Sequence, residues 1–280
     1  MNLIAISDPA DPRVAAYRDI RERDLVGREG RFVAEGEVVL ERLARSHRHR
    51  TDSVLIDGKR ADKLRPLLER FGPDVPVYAA SQAVIDAVAG FHLHRGVLAI
   101  GMKGPEPDPS ELLASLPDGA VVLVLFGIAN HDNMGGLFRN AAAFGAGAVL
   151  LDAGCCDPLY RKAIRVSVGH VLTTPFARLG EGEDPLALLS KAGFEPLALT
   201  PAGATPLADL KRPAKAAVLL GTEGAGLPAA VIAGARPVAI PMAEGVDSLN
   251  VAVAAGIVLH HLNFAAALKR DHFAANKALP

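Results

Sequence analysis

The sequence predicts an α/β protein: a parallel-sheet domain preceded by a smaller α/β domain. Three observations lead there. Half of the 280 residues are apolar, enough for a substantial buried core. Aromatic residues are scarce, with ten Phe, three Tyr and no Trp. The core must therefore be aliphatic, which suits alternating strands and helices better than an all-β sandwich. Beyond residue 119, short continuous apolar runs alternate with helically spaced segments, the pattern of βαβ units around a parallel sheet.

The first hundred residues read as a small α/β unit. Residues 14–23 have helical apolar spacing. Phe32 and Val33 start an extended segment that turns helical after Glu35 and Gly36. Residues 53–56 read as a strand, 61–71 as a helix and 75–78 as a short strand. Residues 81–89 form a helix with Ser81 as N-cap, and 96–100 form a last strand. The stretch 101–119 contains four Pro and three Gly and reads as a linker around one short helix. This divides the chain into an N-terminal domain (1–103), a linker (104–118), a C-terminal domain (119–270) and a tail (271–280).

In the C-terminal domain, residues 120–125 form a charge-free apolar run next to Gly119, as expected for a strand buried on both faces. Residues 134–144 are helical and 148–151 form a strand. Residues 158–168 form a helix with Pro near its start. Helix 185–192, strand 195–199, strand 216–220, a short helix opened by Pro228 and strand 237–240 follow. A long apolar helix spans 249–268.

The formal net charge is −1, which argues against simple whole-molecule attraction to nucleic acid. The distribution says more, because 15 of the 30 Lys and Arg lie in the first 70 residues. Residues 42–50 hold Arg42, Arg45, Arg48, Arg50 and two His without an acid. They read either as a solvated helix end or as a phosphate-contacting patch. The two cysteines are the neighbours Cys155 and Cys156, unsuited to pairing with each other and without zinc-type spacing. A reduced, cytoplasmic protein without metal is expected. The N-terminus shows no signal-peptide pattern. Residues 248–263 contain Asn250 and two His and are too short and polar to span a bilayer.

Three segments combine a predicted strand end with a polar or glycine-rich turn, the place where open parallel sheets bind ligands. In the first, Asn133 caps or precedes a helix with a glycine-rich first turn, and Arg139 sits further along it. Exposed N–H groups there suit an anion. The second, Gly221-Thr222-Glu223-Gly224-Ala225-Gly226, places three glycines within six residues. It is neither a P-loop nor a dinucleotide fingerprint, and Glu223 suits a cationic or hydroxyl-bearing ligand better than a phosphate. In the third, a strand ends at Pro241 and Ser248 or Asn250 begins the last helix; ordinary N-capping would explain either residue.

Together, in this order, the segments resemble the signature motifs of the SpoU (TrmH-like) family of RNA ribose methyltransferases, in the knotted SPOUT class. Asn133, Gly135 and Arg139 match the first motif. Gly221, Glu223 and Gly226 match the second. Ile240-Pro241-Met242 and Ser248-Leu249-Asn250-Val251 match the third. Residues 155–169 match a further segment often found between motifs one and two. The resemblance covers about residues 120–265. Residues 32–36 and 94–100 resemble the family's ribosomal-protein-like RNA-binding module. His131 and Asp132 depart from the commoner Pro-Arg pair, which bears on substrate contacts.

The resemblance implies a trefoil-knotted parallel-sheet domain, a rare exception to the rule against knots. It implies S-adenosylmethionine bound by Leu199, Thr200, Leu219, Gly221, Gly224, Gly226, Ile240, Met242, Ser248 and Leu249. It implies transfer of a methyl group to a ribose 2′-oxygen of structured RNA, ribosomal RNA favoured over tRNA, by a homodimer. Arg139, Asn133, Glu223, Ser248 and Asn250 are the expected catalytic set. Because a guanidinium stays protonated, Arg139 is expected to clamp phosphate and stabilise the alkoxide. Arg42, Arg45, Arg48, Arg50, Tyr160 and Arg165 are the expected RNA contacts. The rival readings are a base-methylating SPOUT enzyme and a non-catalytic RNA-binding protein.

Overall fold

The computed structural model describes residues 2–18, 26–27, 29–93 and 96–264. The expected tail, the end of the last helix beyond 264, much of the expected 14–23 helix, and His94 and Arg95 lie outside them. Two compact units result.

The first unit comprises Met1–Pro105 and Asp157–Thr173. Its strands are β1 (Asn2–Ile6), β2 (Arg31–Glu35), β3 (Arg50–Asp57), β4 (Pro76–Ala80) and β5 (Val97–Met102). They form one mixed sheet in the order β1-β4-β3-β5-β2, with β5 antiparallel to both its neighbours. Helices α1 (Glu37–Ala44), α2 (Ala61–Leu68) and α3 (Gln82–Ala89) flank it. Strand β1 was not expected; it is a short edge strand pairing in parallel with β4. In place of the expected start of helix 14–23 there is a 3-10 turn at Pro12–Tyr17, opened by Asp11, whose carboxylate accepts from the Arg13 N–H at 2.9 Å. The turn delivers Tyr17 into the core, where its hydroxyl meets Ser53 Oγ at 2.8 Å. A buried phenol needs such a partner.

The second unit comprises Glu106–Cys156 and Thr174–Pro280. Helix α4 (Pro109–Ala114), expected as part of a linker, belongs to this unit's core through the fully buried Leu113. Strands β6 (Val121–Leu125), β7 (Ala148–Leu151), β8 (Phe176–Arg178), β9 (Glu195–Leu199), β10 (Thr205–Pro206), β11 (Ala216–Leu220) and β12 (Arg236–Ala239) form a sheet in the order β10-β12-β9-β11-β6-β7-β8. Every pairing is parallel. Strands β6 and β11 are buried along their whole length, which is why they read as unbroken apolar runs. Strands β8 and β10 were not expected, and at three and two residues they are too short to leave a pattern. Helix α5 (His131–Ala143) follows β6, helices at Pro185–Lys191 (α7) and Ala229–Ala233 (α8) follow β8 and β11, and a helix at Val251–Phe264 closes the described chain.

Residues 157–173 are an exception to the expected domain 119–270, since they pack in the first unit. Helix α6 (Arg161–Val166) is shorter than the expected 158–168. Arg161 grips Glu35 Oε2 with Nε at 2.9 Å and Nη2 at 2.7 Å, and its guanidinium lies 4.3 Å over the Phe91 ring. Ser46 Oγ donates to the Leu172 carbonyl at 2.9 Å. Val168 has φ +54°, unfavourable for a β-branched residue by about 1–3 kcal/mol. In this conformation its carbonyl accepts from Arg42 Nε at 2.8 Å.

Candidate active site

The loops after β6, β9, β11 and β12 share one edge of the second sheet, because parallel strands end on the same side. Helix α5 is capped by Asn130, whose Oδ1 accepts from the N–H groups of Asp132 at 2.8 Å and Asn133 at 3.3 Å. Asn133, expected to cap or precede the helix, instead lies in its first turn. There it is buried, with its side chain free for other partners.

Those partners are the other two motifs. Asn133 Nδ2 donates to Glu223 Oε1 at 2.7 Å. Asn250 Nδ2 donates to Asn133 Oδ1 at 2.8 Å and to Glu223 Oε1 at 3.2 Å. Asn250 Oδ1 accepts from the N–H groups of Ala252 and Val253 at 2.9 and 3.3 Å, so Asn250 caps the last helix, α9 in chain order (Val251–Phe264). Hydrogen-bond logic fixes every orientation. A carboxylate only accepts, so both amides turn a nitrogen toward Glu223. The Asn250 oxygen faces the helix N–H groups, which leaves its nitrogen to reach Asn133. Ser248, the other expected cap, is exposed.

Beside this network lies a cavity of about 450 Å³. Leu199, the last residue of β9, and Thr200, just after it, line the cavity. Gly221, Gly224 and Gly226 line it from the loop after β11, and Ile240, Met242, Ser248 and Leu249 from the loop after β12. Leu219 is the exception among the expected cofactor contacts. Its side chain is fully buried in the core, and the next residue, Leu220, lines the cavity. Pro201, Thr222, Asp247, Val251 and Ala254 also line it and were not anticipated. Only Asp247 carried a readable signal, a charge inside the third motif. A Cβ on Gly221 would sit 2.2 Å from the Gly226 carbonyl carbon, so the loop closes on itself only with glycine there.

Arg139 stands apart from the Asn133–Glu223–Asn250 network. It is exposed and lines a shallow groove of about 520 Å³ between α5 and α9. Gly136 lets these helices approach, since a Cβ there would lie 2.8 Å from that of Ala252. Asn140 Nδ2 donates to the Ala252 carbonyl at 2.5 Å, and Asn263 Nδ2 to the Phe144 carbonyl at 2.6 Å.

The expected RNA contacts all lie in the first unit. Arg45, Arg50 and Arg165 are exposed; Arg42, Arg48 and Tyr160 are half-buried. Burial holds the Arg42 guanidinium below its ordinary pKa, and that side chain is partly committed to Val168. Cys155 is buried, its thiol pushed up to about 12 by desolvation, and donates to the Leu125 carbonyl at 3.4 Å. Among the described residues no group of three or more His, Cys, Asp or Glu is placed to hold a metal ion. No described helix is long and apolar enough to cross a membrane.

The fold is shared with an rRNA methyltransferase from Sinorhizobium meliloti, solved with bound AdoMet (TM-score 0.79, 22% identity, covering 93% of this chain and 97% of that one). It is shared also with an RNA 2′-O ribose methyltransferase (TM-score 0.70, 26% identity, covering 92% and 98%). Fold and site thus define the class, an α/β protein of the SPOUT methyltransferase type. Residues 120–260 match the SpoU rRNA Methylase family. An uncharacterized tRNA/rRNA methyltransferase of Mycobacterium tuberculosis is 40% identical over 265 residues, 91% of this chain and 90% of that one. The chain belongs to the SpoU rRNA methylase family.

Proposed function

We propose that the chain transfers a methyl group from S-adenosylmethionine to a ribose 2′-oxygen of structured RNA, ribosomal RNA before tRNA, and works as a cytoplasmic homodimer. The observation that carries this reading is the Asn133–Glu223–Asn250 network, which joins one polar side chain from each of three motifs beside the cavity. The cavity fits the cofactor. Its volume suits a small organic ligand, and its glycine loop lets backbone groups come close. The acidic Glu223 and Asp247 in its lining suit a ligand with cationic centres. The solved relative of 26% identity is an RNA 2′-O ribose methyltransferase, which favours the ribose oxygen over a base. The trefoil threading of the C-terminal segment is part of the same proposal.

When bound, the cofactor supplies an electrophilic methyl group on a sulfonium. The protein has to position it. Leu199, Thr200, Ile240, Met242 and Leu249 would hold the adenosine by apolar and backbone contacts, with Ser248 at the rim. Near-attack placement of the two reactants supplies much of the rate. Arg139, permanently charged, holds the phosphate beside the target ribose and stabilises the developing alkoxide. Arg45, Arg50 and Arg165, exposed in the first unit, grip more of the RNA backbone.

The test is methyl transfer from labelled S-adenosylmethionine to ribosomal RNA and tRNA transcripts, followed by alkaline hydrolysis. A 2′-O-methyl group blocks cleavage at its own linkage, so a resistant dinucleotide is expected, with ribosomal RNA the better substrate. Label recovered on a base overturns the ribose assignment, and absence of transfer to any RNA overturns the activity.

A further inference from the structure

Among the described residues, the cavity lining contains two carboxylates, Glu223 and Asp247, and no Lys, Arg or His. Glu223 is held in place by Asn133 and Asn250, and neither amide neutralises its charge. Asp247 is exposed and lies in the loop just before the Asn250 cap. Anionic adenine compounds such as nucleotide phosphates meet repulsion in such a cavity.

We propose that Asp247 is a specificity-determining residue that makes the cavity discriminate the methyl donor from its demethylated product. The inference rests on the cofactor reading above. S-adenosylmethionine carries a sulfonium, an ammonium and one carboxylate, net +1. Transfer breaks the methyl–sulfur bond, and the electron pair of that bond stays on sulfur. The product is therefore a neutral thioether with net charge zero. Of all the groups on the ligand, only the sulfur changes charge. A fixed negative potential favours the donor and loosens the product once the methyl group has left, which limits product inhibition. In partly solvated surroundings, one unit charge facing another changes binding by roughly three- to tenfold, and salt weakens the effect.

The experiment is calorimetric titration of the full-length protein with S-adenosylmethionine, S-adenosylhomocysteine and sinefungin, whose amine restores a cation at the sulfur position. For Asp247→Asn, affinity for the first and third ligands is expected to fall by about three- to tenfold. Affinity for S-adenosylhomocysteine should change by less than about twofold, which also reports an intact fold. Asp247→Glu should recover the discrimination, and raising the salt should narrow it in the wild type. An equal loss for all three ligands, or no change for any, overturns the inference and leaves the cofactor reading standing. A wild-type protein that binds none of them overturns both.

Discussion

Arg139 shares α5 with Asn133, six residues further on, or roughly 9 Å along the axis. It faces the α5–α9 groove and not the network around Glu223. That placement suits a side chain that meets RNA and leaves the cofactor alone. Arg139→Lys keeps the charge and the helix propensity but loses the planar fork that holds a phosphate through two bonds. Single-turnover transfer should slow by about a hundred- to a thousandfold, the usual cost of one electrostatic donor. Cofactor affinity should be unchanged. A rate close to wild type would show Arg139 to be an ordinary surface residue. Motif spacing had nominated Asn133, Glu223 and Asn250 individually, but their contact was hidden. It depends on Asn130 taking the cap, and two Asn three residues apart look equally suited to that task. That Leu220 lines the cavity while the Leu219 side chain sits in the core was hidden for a related reason. In a strand buried on both faces, sequence does not tell which side chain points toward the ligand edge.

At the scale of elements, the loop after β11 decides whether the cavity exists. Gly224 and Gly226 have φ +95° and +69°, and Gly226 N–H bonds back to the Thr222 carbonyl at 3.1 Å. Gly221 is needed for a different reason, since backbone atoms of Gly226 and Leu227 lie where its Cβ would go. Gly221→Ala must push backbone aside, and such overpacking costs about 1–3 kcal/mol. Cofactor affinity should drop at least about tenfold, with a melting temperature lower by only a few degrees. Unaltered affinity in a calorimetric titration would mean the loop is not part of the cofactor site. The long buried strands were legible because unbroken apolar runs between glycines admit few other readings. The edge strands β8 and β10 were not, because strands of three and two residues carry too little periodicity. Helix α4 was expected as a short helix inside a proline-rich linker and not as part of a core. Yet Pro109 opens the helix behind the Asp108 cap, and Leu113 anchors it in the core.

At the scale of the whole molecule, the remaining question is what covers the outer face of α9. Along this helix Val253, Ile257 and Phe264 are exposed at 51%, 39% and 37%, with His260 beside them. These positions are separated by four, three and four residues, so they form one stripe along the helix surface. Phe144, the C-cap of α5, closes the stripe with an edge contact to the His260 ring at 5.8 Å. An apolar stripe beside a groove marks an interaction site more often than bare surface. Because Arg139 lines the same groove, a second copy docked there would complete the surroundings of both arginines. The proposed homodimer therefore makes a double prediction. Val253→Glu combined with Ile257→Glu should convert sedimentation from twice the chain mass to the chain mass at micromolar concentration, with little loss of secondary structure, since both side chains already face solvent in the single chain. Methyl transfer should fall with the dimer, and by more than affinity for cofactor, because Arg139 lines the groove between α5 and α9 and not the cavity. Wild-type protein sedimenting as one chain would overturn the dimer. A double variant that is monomeric yet fully active would separate assembly from catalysis and leave Arg139 to act without a neighbour.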